Sequence, residues 1–168
     1  MEFVFLGDGG RHDLHGVRDL AEEFHARVSS EETRLALAEI APIGGTSHQV
    51  DELIGPHARA LGFESQRTGL FAGYPVVLRP DWYRPFGHSG ILLEVERGKT
   101  VTNNMDLLDL WKCHICREAE HLFLVVPMHV QRTKGREGVF ERVVNRLGTF
   151  FVAGNDVNVK SVAVFGYE

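Results

Sequence analysis

Three observations predict an α/β fold. Apolar positions recur at helical spacing through the first 60 or so residues, and short β-branched or aliphatic runs cut by Gly and Pro follow them; helix and strand signals then alternate to the end. A length of 168 residues suits one domain of ordinary size, and 43% hydrophobic with 24% charged residues is the make-up of a chain that buries a core. A net charge of −5 excludes nucleic-acid binding by bulk charge, so any such contact must come from a local patch.

Residues 3–6 read as a short strand. Leu14, Val17, Leu20, Ala21, Phe24 and Val28 then fall on one helical face. Ser29-Ser-Glu-Glu32 has capping-box spacing and opens a second helix, which stops near Pro42 and the glycines after it. A third helix opens at Thr46-Ser-His-Gln49 and places Val50, Leu53, Ile54, Ala58 and Leu61 together; Pro56 marks a kink and Gly62 an end.

Beyond Gly62 the period changes, and residues 63–71, 76–79 and 91–97 read as three strands. Asn103-Asn104 caps a helix over 105–119, where Leu107, Leu108, Leu110, Trp111 and Ile115 predict a broad apolar surface turned inward. The run 121–126 is apolar throughout, as in a strand covered on both faces, and Pro127 ends it. A basic loop over 131–136, a helix over 139–147 and a strand over 157–165 complete the order. The chain therefore divides into a mainly helical N-terminal extension (1–45), an αβββαβ core (46–128) and a C-terminal helix and strand (129–168), all in one domain.

Three carboxylates stand at informative places. Asp81 follows the run 76–79, and Glu94 and Glu96 lie two apart in the next strand, so their side chains share a face. Mg²⁺, with Mn²⁺ as a substitute, takes oxygen ligands, usually one or two carboxylates completed by water and substrate phosphate. Asp81, Glu94 and Glu96 form such a set, and phosphodiester hydrolysis is the chemistry that suits it.

Pro80-Asp81, twelve intervening residues and Glu94-Val95-Glu96, set within αβββαβ, resemble the PD-(D/E)XK nuclease superfamily over residues 46–128. The resemblance implies a restriction-endonuclease-like core, with a mixed central sheet flanked by helices, and a Mg²⁺-dependent DNA endonuclease of restriction or repair type. Asp81 and Glu94 would bind the metal. The family lysine falls at position 96, where this chain has Glu. Some members carry an E-X-E triplet whose third residue helps to activate water, which gives Glu96 that role or metal ligation; a lysine relocated to Lys99 or Lys112 is the other solution. The family often adds an acid from the first core helix, for which Glu52 is best placed and Asp51 competes. The alternative is an inactive nucleic-acid-binding or protein-interaction module on the same fold.

Arg79, Arg84, Arg97 and Lys99 surround the acids in sequence and are the candidate phosphate contacts, with Arg132, Lys134 and Arg136 in the later basic loop. Trp82-Tyr83 reads as packing on the sheet rather than as a base-stacking platform. Cys113-His-Ile-Cys116 is half of a zinc motif, with His121 or His129 as further ligands, and otherwise reads as two small buried side chains. His12 and His15, with Asp8 and Asp13, form another candidate metal cluster. The glycines at 7, 9 and 10 lack the spacing of a phosphate-binding loop and read as a turn. With no basic leader and no long apolar run, the expectation is a cytoplasmic protein without a membrane partner. One site per chain cuts one strand, which makes a homodimer the natural arrangement for cutting duplex DNA.

Overall fold

The computed structural model describes residues 1–7, 10, 14–40, 47–65, 69–75, 78–133 and 135–168. Its elements are β1 (Glu2–Gly7), α1 (His15–Val28), α2 (Glu31–Ile40), α3 (Ser47–Ala60), β2 (Glu64–Ser65), β3 (Trp82–Phe86), β4 (Ser89–Val95), α4 (Met105–Ile115), β5 (His121–Pro127), β6 (His129–Arg132), β7 (Gly135–Gly138), α5 (Phe140–Gly148) and β8 (Ser161–Tyr167). Six strands make one mixed sheet in the order β1-β8-β5-β4-β3-β2, and β6 and β7 form a separate hairpin. β5 is parallel to both β4 and β8, whereas β1, β2 and β3 join their neighbours antiparallel. Parallel neighbours need long crossovers, which α4 supplies between β4 and β5, and the hairpin with α5 between β5 and β8.

Strand alternation sorts the core into two layers. Ile91, Leu93, Val95, Phe123, Val125, Ala163 and Phe165 face α1, α2 and α3, while Leu92, Leu122, Leu124, Val126, Val162 and Val164 face α4 and α5. Every residue of β5 is buried, as its unbroken apolar run predicts. The apolar face of α1 is the expected one, with Val17, Leu20, Ala21, Phe24 and Val28 buried.

Several expectations are corrected. The second strand of the core is β3, Trp82–Phe86, so Asp81 precedes a strand instead of following one. Among the described residues of 63–71 only Glu64–Ser65 is strand, residues 69–75 are turns and bends, and 78–80 have no regular structure. Pro85 and Arg84 hid β3 from a pattern search, yet Pro85 is tolerated because β2 pairs with Trp82 and Tyr83, and among the described residues the rest of that side of β3 has no partner strand. The short strand expected over 3–6 is present as β1, and what the pattern did not indicate is its place, at the sheet edge antiparallel to β8. Ser30 rather than Ser29 caps α2: the Thr33 amide donates to Ser30 Oγ at 3.3 Å. The helix expected over 105–119 stops at Ile115, and the basic loop is the β6–β7 hairpin. Thr46, Val76, Val77, Lys134, the glycine loop around residue 9 and the Asp8, His12 and Asp13 cluster lie outside the described residues.

Candidate active site

The β3–β4 pairing brings Asp81 to Glu94. Trp82 is the partner of Leu93, so the residue before Trp82 arrives opposite the residue after Leu93. Two reciprocal hydrogen bonds hold the pair: the Asp81 amide donates to Glu94 Oε2 at 3.3 Å, and the Val95 amide donates to Asp81 Oδ2 at 2.8 Å. An ionised carboxylate has about four lone-pair sites, so neither bond exhausts its acceptor.

Glu94 shares the α4 face of the sheet with Leu92 and is only 3% exposed. A buried charge requires a partner, and α4 provides it. Lys112 Nζ stands 2.7 Å from Glu94 Oε1 and 2.8 Å from Oδ1 of Asp109, which is fully buried one turn earlier on the same helix. The polar stripe continues to Asp106, also fully buried, whose Oδ2 lies 3.4 Å from Arg146 Nε on α5. α4 meets its expected face only in part: Leu110 is buried and Leu107 and Ile115 pack against the same layer, but Asp106, Asp109 and Lys112 are also inside, while Leu108 and Trp111 are 39% and 44% exposed. The need to neutralise Glu94 outweighs the burial of two more apolar side chains on this helix.

Glu96 lies just past the end of β4, but its amide still donates to the Val125 carbonyl at 2.8 Å, which keeps it on an extended path two residues from Glu94. The Tyr167 hydroxyl donates to the Glu96 carbonyl at 3.1 Å and fixes that segment against β8.

Four carboxylates, those of Asp81, Glu94, Glu96 and Asp109, therefore share the charge of one ammonium. Burial raises the pKa of all four. Glu94 is pushed well above the usual range by burial and then by Asp109; Glu96 is pushed up to about 8 by burial and then Asp109; and Asp109 is pushed up to about 6 by burial, against the pull of Lys112. Asp81 is raised by burial and by Asp51, although its bond from Val95 opposes this. Burial also works to discharge Lys112, but Glu94 and Asp109 outweigh it and hold the ammonium above its ordinary value.

A cluster of carboxyl oxygens with one ammonium among them is the donor chemistry of a hard divalent cation, which takes the place of the protons that burial favours. Among the described residues no three His, Cys, Asp or Glu side chains converge as a ready-made metal cage. Mg²⁺ does not require one, because one or two carboxylates with water and phosphate suffice. Asp81 and Glu94, adjacent and each with acceptor capacity left, fit that requirement.

The other candidates are dispersed. Glu52 is exposed and pairs with His48 at 3.3 Å, so it is not part of the cluster. Its rival Asp51 is: Oδ1 accepts the Trp82 indole N–H at 2.6 Å, and its charge is felt at Asp81. Arg97 donates to the Ile40 carbonyl at 3.1 Å and ties down the end of α2. Arg84 is half-buried with Nη1 lacking a hydrogen-bond partner, and Arg79 and Lys99 are exposed. Arg136 pairs with Glu168 at 3.0 Å. Cys113 and Cys116 are buried free thiols in the α4 layer, and burial pushes the Cys113 thiol well up, which keeps it neutral. His121 is engaged elsewhere, with Nδ1 2.8 Å from Ser161 Oγ.

Sequence reasoning missed Asp109. Its signal was present, since Asp106, Asp109 and Lys112 recur at three-residue steps and so form one stripe on a helix. Among the described residues no helix is long and apolar enough to cross a membrane. The chain matches no protein-family model and none of the curated proteins with which it was compared.

Proposed function

We propose that the protein is a Mg²⁺-dependent DNA endonuclease with a restriction-endonuclease-like core, in which Lys112 on α4 takes the place of the lysine absent at position 96. The observation that carries this reading is the Asp81–Glu94–Lys112 assembly: two carboxylates joined through reciprocal backbone bonds and one ammonium 2.7 Å from the second of them. The succession α3, β2, β3, β4, α4, β5, with an antiparallel three-strand meander and a parallel fourth strand, supports the same reading.

Asp81 and Glu94 would hold the cation, which when bound polarises the phosphoryl oxygen and lowers the pKa of the attacking water. Lys112 stays protonated and acts as a fixed positive charge toward the phosphate, where charge accumulates in the transition state. It is too basic to accept a proton at neutral pH. Glu96, with a pKa of about 8, is suited to take the proton of the attacking water, because a base is most effective when its pKa lies near the working pH. Arg79 and Lys99, both exposed, are the side chains available for phosphate contacts outside the cluster.

The test is cleavage of supercoiled, linear, branched and single-stranded DNA with and without Mg²⁺ or Mn²⁺. Cleavage is expected only with the metal, and Glu94→Gln is expected to reduce it by roughly a hundredfold or more. Undiminished cleavage by that variant would remove Glu94 from the site. Binding without cleavage of any substrate would replace the nuclease reading with an inactive DNA-binding module.

A further inference from the structure

We infer that Asp109 is a positioning residue whose buried carboxylate anchors the Lys112 ammonium against Glu94, so that the phosphate meets a charge already in place. This deepens the nuclease reading and rests on it. A lysine has a long flexible stem, and ordering it costs up to about 2 kcal/mol of side-chain entropy. One partner leaves the ammonium free to swing about that contact. Here two partners on different elements define its position: Glu94 Oε1 on β4 at 2.7 Å, and Asp109 Oδ1 on α4 itself at 2.8 Å.

One carboxylate is enough to balance one ammonium, yet Lys112 has two, both in places with almost no solvent exposure, Glu94 at 3% and Asp109 at 0%. Apart from the Lys112 ammonium at 2.8 Å, the Asp109 oxygens have no hydrogen-bond partner among the described residues. Burial of such an acid is costly, and a Leu at this position would satisfy both helix propensity and the core layer formed by Leu110 and Cys113. Stability therefore favours replacement of Asp109, whereas orientation of the ammonium favours its retention. Distant support comes from the same stripe, because Arg146 on α5 holds Asp106 and so pins the start of α4.

The experiment compares the full chain with Asp109→Asn, which keeps shape and an acceptor oxygen, and Asp109→Leu, which keeps neither. Two readouts are taken on protein shown by circular dichroism to be folded: kcat and KM for Mg²⁺-dependent DNA cleavage, and acylation of Lys112 by an N-hydroxysuccinimide ester followed by mass spectrometry, with exposed Lys99 as the internal reference. Asp109→Leu is expected to lower kcat about 10- to 100-fold with KM within about twofold, as for other residues that orient a reactive group. Lys112 acylation is expected to accelerate at least about tenfold while Lys99 is unchanged, and Asp109→Asn is expected to fall between on both counts. A Lys112 as protected in both variants as in the parent would overturn the positioning role. So would freed, acylated Lys112 with unchanged kcat. If Asp109→Leu does not fold, the Asn variant alone decides by the same criteria. If the parent cuts no DNA, the nuclease reading fails separately, and the acylation readout still decides whether Asp109 holds Lys112.

Discussion

At Lys112 one ammonium serves two buried carboxylates, and the consequence of removing it follows from their burial. Lys112→Met keeps the length and most of the volume of the side chain, but it leaves Glu94 and Asp109 without a cation at 3% and 0% exposure. Breaking a buried ion pair from one side costs about 3–5 kcal/mol. With about 2–4 °C per kcal/mol for a chain of this size, Tm should fall by on the order of 10 °C at pH 8. The loss should shrink at pH 5, where the stranded acids can protonate. Thermal unfolding at the two pH values checks this, and a variant as stable as its parent at pH 8 would mean that another cation reaches the site. Asp81 and Glu94 were legible as a pair through the spacing of the motif they resemble and not through their strands, since Asp81 was expected to follow a strand and instead precedes β3. Asp51 and Asp109 were not distinguished from their neighbours, since a helix offers an acid at many rotations and only the packed structure selects one. Thus Asp51 meets the Trp82 indole while the adjacent Glu52 faces solvent.

Elements were legible in proportion to how strictly their period was kept. α1, α3 and β5 follow their patterns closely; α3 even runs through Pro56, near its end. β3 was obscured because Trp-Tyr-Arg-Pro-Phe does not alternate and contains a proline that only a nearly unpaired strand side can accept. α4 was located correctly and Leu107, Leu110 and Ile115 face the core as expected, but Leu108 and Trp111 do not, because hydrophobicity alone could not reveal that Glu94 lies beneath the helix and pairs with Lys112. The docking of α3 on β3 carries a prediction at this scale. A Cβ on Gly55 would stand 2.9 Å from Trp82 Cζ2, and the same indole is held by Asp51 and covered by the Arg59 guanidinium at 5.0 Å, so the ring has little freedom to retreat. Gly55→Ala should therefore cost about 1–3 kcal/mol of stability despite the better helix propensity of alanine. It should also disturb the start of β3, where Asp81 is held. Denaturant unfolding together with the cleavage assay measures both effects; an increase in stability would show that α3 can shift without penalty.

For the molecule as a whole, the net charge of −5 conceals an uneven distribution, because several of the acids stand around one lysine in a desolvated place. This fixes the sign of the pH dependence of folding. Unfolded Glu and Asp titrate near 4.5 and 3.8, whereas folded Asp109 titrates at about 6 and Glu96 at about 8, with Glu94 and Asp81 also raised. Between these limits the raised acids bind more protons in the folded than in the unfolded chain, which outweighs the opposite contribution of His57, lowered by burial, so stability falls as pH rises from about 4.5 to about 8. Lys112 does not alter the sign, since it is protonated in both states throughout this window. A divalent cation acts in the opposite sense: it competes with protons for the folded carboxylates and stabilises whichever state binds it. Calorimetry should accordingly record a higher Tm at pH 5 than at pH 8 in a chelator, and addition of Mg²⁺ should raise Tm more at pH 8 than at pH 5 and narrow the gap. Glu94→Gln should abolish the Mg²⁺-dependent part of that shift. A Tm that rises from pH 5 to pH 8 in a chelator would contradict the clustering of the acids, and a Mg²⁺ response that survives Glu94→Gln would place the cation elsewhere on the molecule.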